Sequence, residues 1–139
     1  MKDLEDLRQR MRDFVAERDW EKFHSPKNLV MAMSVEVSEL LEHFQWLSLE
    51  QSEELDEAAL EEVADEIADV QIYLVRLADR LGIDILEASE RKFRKNAEKY
   101  PVDLSKGRST KYTDLSDGDR IPDIVGPLPS PCATALAPG

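Results

Sequence analysis

Apolar residues recur at helical rather than alternating spacing along most of this 139-residue chain. Leu4, Leu7, Met11, Phe14 and Val15 follow one another at such steps, predicting an amphipathic helix from about Leu4 to Trp20. A break follows at Phe23-His24-Ser25-Pro26. Ser25 suits an N-cap and Pro26 a first helical residue, so a second helix is predicted from about Pro26 to Trp46. Its apolar positions are nearly continuous, which implies burial on more than one side. The polar, acidic stretch Ser48 to Glu57 predicts a short helix or a loop. A third helix, long and strongly periodic, runs from about Glu57 to Leu81 and stops at Gly82, a natural C-terminal cap. Asp84 and Glu87 have capping-box spacing, opening a fourth helix that ends before Pro101.

Strand signals are weak and no internal repeat is present, so the predicted architecture is all-α, a four-helix bundle with connections short enough for antiparallel neighbours. The chain length suits one domain, expected over residues 1–115. From about Asp117 the composition turns to Gly, Pro, Ala and Ser, and residues 116–139 are expected to form a disordered tail. Between them, Lys106, Lys111 and Tyr112 lie in a segment long enough to fold back over a site.

Charge changes the picture more than composition does. Acidic residues number 30 against 18 basic, for a net charge of -12, which argues against a general nucleic-acid binder. Residues 28–75 hold 13 Asp/Glu and no Lys or Arg, whereas residues 91–111 hold 8 Lys/Arg and 2 Asp/Glu. Two readings stay open: an acidic half that holds a cation beside a basic half that meets phosphate oxygens, or a solvated acidic helix followed by an ordinary basic segment. The single cysteine, Cys132, permits no intramolecular disulfide and no zinc-site spacing. No secretory leader or membrane-spanning run is read from the sequence, and a reducing cytoplasm is the expected setting.

Two carboxylate pairs share one spacing: Glu36-Val37-Ser38-Glu39 and Glu66-Ile67-Ala68-Asp69. A step of three residues keeps both members of a pair on one side of a helix. If the two helices pack together, four carboxylates converge, and each like-charge pair at ~6 Å repels by roughly 3 kcal/mol at an effective dielectric near 20. Val35, Leu40, Val70 and Ile72 flank the pairs, and charges set in apolar stripes are costly unless paired or metal-bound. Oxygen ligands without cysteine favour a hard ion, Mg²⁺ or Mn²⁺. Patterning alone leaves a solvated acidic ridge as the competing account.

The chain resembles the MazG-like all-α nucleoside triphosphate pyrophosphohydrolases, most closely the dCTP pyrophosphatase branch. The resemblance runs from about Trp20 to Leu115 and is carried by Trp20 with Phe23-His24, Pro26, Asn28-Leu29, Glu36-x-x-Glu39-Leu40, Phe44-Gln45-Trp46, Glu66-x-x-Asp69-Val70, Ile72-Tyr73-Leu74-Val75, Lys95-Asn96, Tyr100-Pro101-Val102 and Lys111-Tyr112-Thr113. Val35 departs from it, standing where many MazG proteins have the first Glu of a Glu-Glu pair. The resemblance implies that Glu36, Glu39, Glu66 and Asp69 bind Mg²⁺. It further implies cleavage of a nucleoside triphosphate between the α- and β-phosphates, releasing a monophosphate and pyrophosphate, in service of nucleotide-pool sanitation.

By the same resemblance Lys95, Asn96 and Lys111 approach the phosphates, with Lys92 and Lys99 as weaker candidates. Trp20, His24, Trp46 and Tyr73 form the nucleobase and sugar pocket, and Asn28 belongs with the substrate-binding set. The implied substrate is dCTP or a 5-substituted derivative, with broader dNTP or dUTP hydrolysis as runners-up. A homodimer or a tetramer of two dimers is implied, with the site near a subunit boundary. His43 is read as a surface or interface residue. Two other classes compete: a di-iron carboxylate bundle, for which the chain has no Glu-x-x-His motif, and a non-catalytic acidic helical interaction module.

Overall fold

The computed structural model describes residues 1–115. Over that range the helices are α1 (Leu4–Glu17), α2 (Pro26–Glu42), α3 (Leu49–Glu53), α4 (Glu57–Leu81), α5 (Ile85–Lys99) and α6 (Val102–Ser105), with 3-10 turns at Glu21–Phe23 and Tyr112–Asp114. No strand occurs among the described residues. The four long helices are those the periodicity predicts, and α3 fills the acidic stretch before Glu57. The short α6 has no counterpart in the prediction. The expected tail, 116–139, lies outside the described residues.

Local chemistry fixes most boundaries. Ser25 accepts from the Asn28 amide with Pro26 at the first helical position, so α2 starts where expected. Ser48 and Gln51 form a reciprocal capping box at α3, and Asp56 caps α4 through the Ala59 amide. At the far end of α4, Gly82 takes a left-handed conformation (φ 65°), the Gly82 amide donates to the Asp79 carbonyl and the Ile83 amide to the Ala78 carbonyl. These two bonds make a Schellman termination.

Two helices stop earlier than the pattern predicts. α1 ends at Glu17 rather than Trp20 because Asp19 adopts a left-handed backbone (φ 53°). The Trp20 amide then donates to the Val15 carbonyl and the Asp19 amide to the Ala16 carbonyl, the same termination built on Asp instead of Gly. α2 ends at Glu42 rather than Trp46, the chain continuing through shorter-range bonds from Phe44 to Leu41 and from Leu47 to Phe44.

The chain divides into two compact units, Met1–Ile85 and Leu86 onward. In the first, α4 packs against both α1 and α2. Leu7 and Val15 of α1, Leu29 of α2 and Val63, Val75 and Ala78 of α4 are buried. Complete burial of Leu29 or Val15 contributes roughly 1.5–3 kcal/mol each. His43 lies 3.8 Å from Glu62, Glu36 and Glu39 lie beside Glu66, and Glu21 meets Arg76 and Arg80, so α2 runs antiparallel to α4. In the second unit, Tyr100 and Tyr112 meet edge to face at 6.0 Å and the Lys99 ammonium sits 4.7 Å from the Tyr112 ring centre.

The buried core of the first unit is small beside the apolar surface it leaves open. Leu60, Ile67, Leu74 and Leu81 of α4 repeat every seven residues and remain 44–54% exposed. On α2, Met31, Val35, Val37 and Leu41 are exposed as well.

Candidate active site

Antiparallel packing of α2 on α4 brings Glu36 and Glu39 against Glu66. One carboxylate oxygen from each of Glu36, Glu39 and Glu66 lies within 4.8 Å of the other two. Glu36 and Glu66 are half-buried and Glu39 is exposed. The fourth predicted carboxylate, Asp69, stands outside that trio but close enough for its charge to act on Glu36. Burial, and then the charges of Glu39, Asp69 and Glu66, push the Glu36 carboxyl above its ordinary value. Glu66 Oε2 is buried without a hydrogen-bond partner.

An acceptor oxygen that has lost water and gained no donor is costly, and three converging carboxylates add repulsion to that cost. No ammonium or guanidinium is paired with Glu36, Glu39 or Glu66 among the hydrogen bonds and ion pairs of the described residues. The donor set is oxygen throughout, which suits Mg²⁺ or Mn²⁺ and does not suit zinc. The residues present therefore fit a hard divalent cation.

Tyr73, four residues beyond Asp69, is half-buried, and burial followed by the charges of Glu36 and Asp69 holds its phenol above the ordinary range. Its hydroxyl stays protonated and can donate. Farther along α4 the same face continues: Glu66, Asp69, Tyr73, Arg76 and Arg80 succeed one another at steps of three, four, three and four, within one stripe of the helix.

Trp20 and His24 flank the 3-10 turn Glu21–Phe23 and face each other at 6.5 Å between ring centres. Trp20 also meets Phe14 edge to face at 5.8 Å. His24 is half-buried with Nδ1 unpartnered; burial, then Arg76, lowers its pKa, with Glu21 opposing and Arg80 adding to the fall. These influences together favour the neutral imidazole. Asn28 is spent locally, its side-chain amide donating to the Phe23 carbonyl at 2.9 Å and so closing the turn onto α2.

Trp46 is 86% exposed and sits past the C-terminal end of α2, whereas Trp20 and His24 precede its N-terminal end. The 17 residues of α2 span about 25 Å at 1.5 Å per residue. The fold of one protomer therefore gathers Trp20 and His24, and separately the carboxylates, but leaves Trp46 at the other end. Lys92, Lys95 and Asn96 lie on α5 and Lys111 follows α6, all in the second unit; the lysines are exposed and Asn96 is half-buried.

One cluster was not anticipated from the sequence. Arg76 is the one buried charged residue among those described, at 2% exposure. It donates to Glu21 Oε1 at 2.7 Å and to Asp79 Oδ2 at 3.0 Å. Arg12 binds Asp79 with both arms of its guanidinium, and Arg80 reaches Glu21 Oε2 at 3.1 Å. The Arg12 hydrogen bond, outweighing burial, holds the Asp79 carboxyl below its usual range, with the charges of Arg12, Arg76 and Arg8 adding to the effect. A signal was available: Arg76 interrupts the apolar run Ile72 to Ala78, where a lone cation needs a partner.

A model of the MazG-like family matches residues 31–115 of the chain. The dCTP pyrophosphatase 1 of Rattus norvegicus is 47% identical over 120 residues, covering 83% of this chain and 69% of the rat protein. The dCTP pyrophosphatase 1 of Homo sapiens is 43% identical over 135 residues, covering 93% and 78%. Among solved structures, a pyrophosphatase from Archaeoglobus fulgidus DSM 4304 superposes with a TM-score of 0.67 at 48% identity, covering 70% of this chain and 91% of that one. The matched span contains both carboxylate pairs, and the chain belongs to the MazG-like family.

Proposed function

We propose that this protein is a Mg²⁺-dependent nucleoside triphosphate pyrophosphohydrolase acting on dCTP or a 5-substituted dCTP and yielding the monophosphate and pyrophosphate. The observation that carries the reading is the convergence of Glu36, Glu39 and Glu66, together with a buried Glu66 oxygen that has no hydrogen-bond partner. The names of the rat and human relatives supply the substrate class.

Glu36, Glu39, Glu66 and Asp69 are the residues that would hold the ion. When bound, a divalent cation supplies charge neutralisation for the triphosphate and acidifies a coordinated water. The chain's own groups do the rest. A carboxylate of the set accepts the proton of the attacking water, whose oxygen bonds to the α-phosphorus as the bond to the bridging oxygen breaks and pyrophosphate leaves. Tyr73 Oη, kept protonated, is available to donate to the substrate, and the Trp20 ring offers a stacking face with His24 next to it. Lys95, Asn96 and Lys111, with Lys92, meet the phosphates in this reading.

The active form in this reading is a homo-oligomer. Its support is the heptad row Leu60, Ile67, Leu74 and Leu81, an apolar seam of the kind that pairs helices, and the distance of Trp46 from Trp20 within one protomer. If both indoles serve one nucleobase pocket, one of them comes from a second copy. Light scattering on a sizing column tests this: a dimer or larger species is expected, and Ile67→Lys should shift the population toward the monomer.

The activity is tested by incubating the protein with Mg²⁺ and a panel of NTPs and dNTPs including 5-methyl-dCTP, with products resolved by anion exchange. Monophosphate and pyrophosphate in equal amounts, dependent on the metal and favouring cytosine deoxynucleotides, is the expected result. Release of orthophosphate, or an intact panel with folded protein, overturns the reading.

A further inference from the structure

We propose that Arg76 is a positioning residue for nucleobase recognition: through Glu21 it holds the Trp20–His24 turn against the same helix that carries the catalytic carboxylates. The inference rests on the reading of Trp20 and His24 as nucleobase contacts.

The backbone bonds of the turn set its internal shape and nothing more. Trp20 donates to Val15, Phe23 to Trp20 and His24 to Glu21, all within the segment or to the end of α1. None of these ties the turn to α4. Glu21 does, because its two oxygens take separate guanidinium groups, Arg76 at 2.7 Å and Arg80 at 3.1 Å. A carboxylate held at both oxygens has little freedom to swing, and Trp20 is its immediate chain neighbour.

Arg76 differs from a surface ion-pair partner in two respects. It is buried to 2% exposure, so its attraction for Glu21 is weakly screened, and it is itself fixed from behind by Asp79, whose side chain is 6% exposed. Asp79 is in turn clamped by both arms of Arg12 from α1. The chain of contacts runs α1, Asp79, Arg76, Glu21 and then the turn. Its anchor on α4 lies ten residues beyond Glu66, about 15 Å along one rigid helix. Carboxylates and aromatic turn thus share a common ruler, and the distance between the phosphate end and the base end of a substrate is set by α4.

A second consequence is electrostatic. Burial and the charges of Arg76 and Arg80 outweigh Glu21 and favour the neutral form of His24, whose Nδ1 has no hydrogen-bond partner and can accept from an exocyclic amine. Loss of Glu21 as a partner frees the turn and removes the one negative charge in this set.

The test uses Glu21→Gln, a half-exposed position where neutralisation buries no bare carboxylate, with Arg76→Lys as a second variant that keeps charge and loses the fork. Calorimetric titrations with Mg²⁺ present compare an α,β-imido dCTP analogue, which carries the base, with inorganic tripolyphosphate, which does not. Steady-state dCTP hydrolysis is measured alongside. Glu21→Gln is expected to weaken the analogue and raise KM for dCTP about tenfold while kcat and tripolyphosphate affinity stay within about twofold. Arg76→Lys is expected to shift the analogue in the same direction by a smaller factor. Equal weakening of both ligands, or an unchanged analogue affinity in folded Glu21→Gln, overturns the proposal. Wild-type protein that binds the analogue and fails to hydrolyse dCTP counts against the pyrophosphohydrolase reading alone, and the affinity ratio still decides the role of Arg76. Wild-type protein that binds no base-bearing ligand overturns both.

Discussion

The two ends of one face of α4 are both densely charged, and they solve the cost of charge in opposite ways. Around Glu66 the side chains carry one sign, an oxygen is left buried without a donor, and Glu36 responds by holding its proton more tightly. Around Arg76 the signs alternate, Glu21, Arg76, Asp79 and Arg12 each meeting an opposite charge, and Asp79 responds by losing its proton more readily. The two clusters thus move their carboxyls in opposite directions, Glu36 up through burial and like charge and Asp79 down through its guanidinium partners. The first gathers three carboxylates with no cation of the described residues paired to them; in the second each carboxylate meets a guanidinium, while Arg76 Nε stays buried without a hydrogen-bond partner.

Substitutions at the two ends should have opposite signatures. Glu66→Gln is expected to lower kcat/KM by about 1000-fold or more, by analogy with losses of transition-state charge stabilisation. It should also leave the metal-free melting temperature equal or higher, and abolish the rise expected of the wild type on adding Mg²⁺. Differential scanning calorimetry with and without Mg²⁺ checks both. A variant that melts lower without metal would mean that Glu66 has a partner in the fold.

Asp79→Asn should do the reverse, destabilising the protein by about 3 kcal/mol because it strips a buried guanidinium of one partner. Urea denaturation reads the difference. Because the folded pKa of Asp79 is depressed, its contribution is fully present above the unfolded carboxylate value near 3.9 and is lost as pH falls through the folded value. The gap between wild type and Asp79→Asn should hold constant from pH 7 to pH 5 and narrow below about pH 4. A gap that widens on acidification would contradict the assigned ion pairing.

Asp19 sharpens the comparison from the side of α1, where it bends the chain toward the turn with a left-handed backbone. Asp19→Val should cost about 1–2 kcal/mol and Asp19→Gly little or nothing, as thermal melts would show. The smallest effect is expected at Glu90→Gln on α5, where an exposed i,i+4 pair with Arg94 is worth less than about 0.5 kcal/mol. A larger loss there would blur the distinction between charge that the fold uses and charge that merely faces water.

The helices were legible because their ends are written in local chemistry. Ser25-Pro26 and Gly82 act within a few residues of themselves, and the structure places both as expected. The convergence of Glu36, Glu39 and Glu66 was legible for a related reason: the carboxylates come as two short-range pairs, and a single antiparallel contact between α2 and α4 brings the first pair to Glu66, with Asp69 outside the trio. The early end of α1 was not, because Asp19 carries no mark that separates a left-handed cap from an ordinary helical acid. Nor was the Arg76 network. Arg12 and Asp79 lie 67 residues apart and Arg76 and Glu21 55, so only tertiary packing pairs them. Trp46 shows the limit from another direction, since membership of a motif gave it a role that one protomer's geometry does not place beside Trp20.

The run of Glu66, Asp69, Tyr73, Arg76 and Arg80 along one helix also sets where the gene can change length. One inserted codon between Asp69 and Tyr73 would rotate everything beyond it by about 100° and advance it by about 1.5 Å, turning Tyr73 and both arginines away while the carboxylates stayed put. The same codon inserted between Glu53 and Asp56 would enlarge a connection and disturb no such phase relation. Among variants of this chain, insertions and deletions should gather in that connection and be missing from α4.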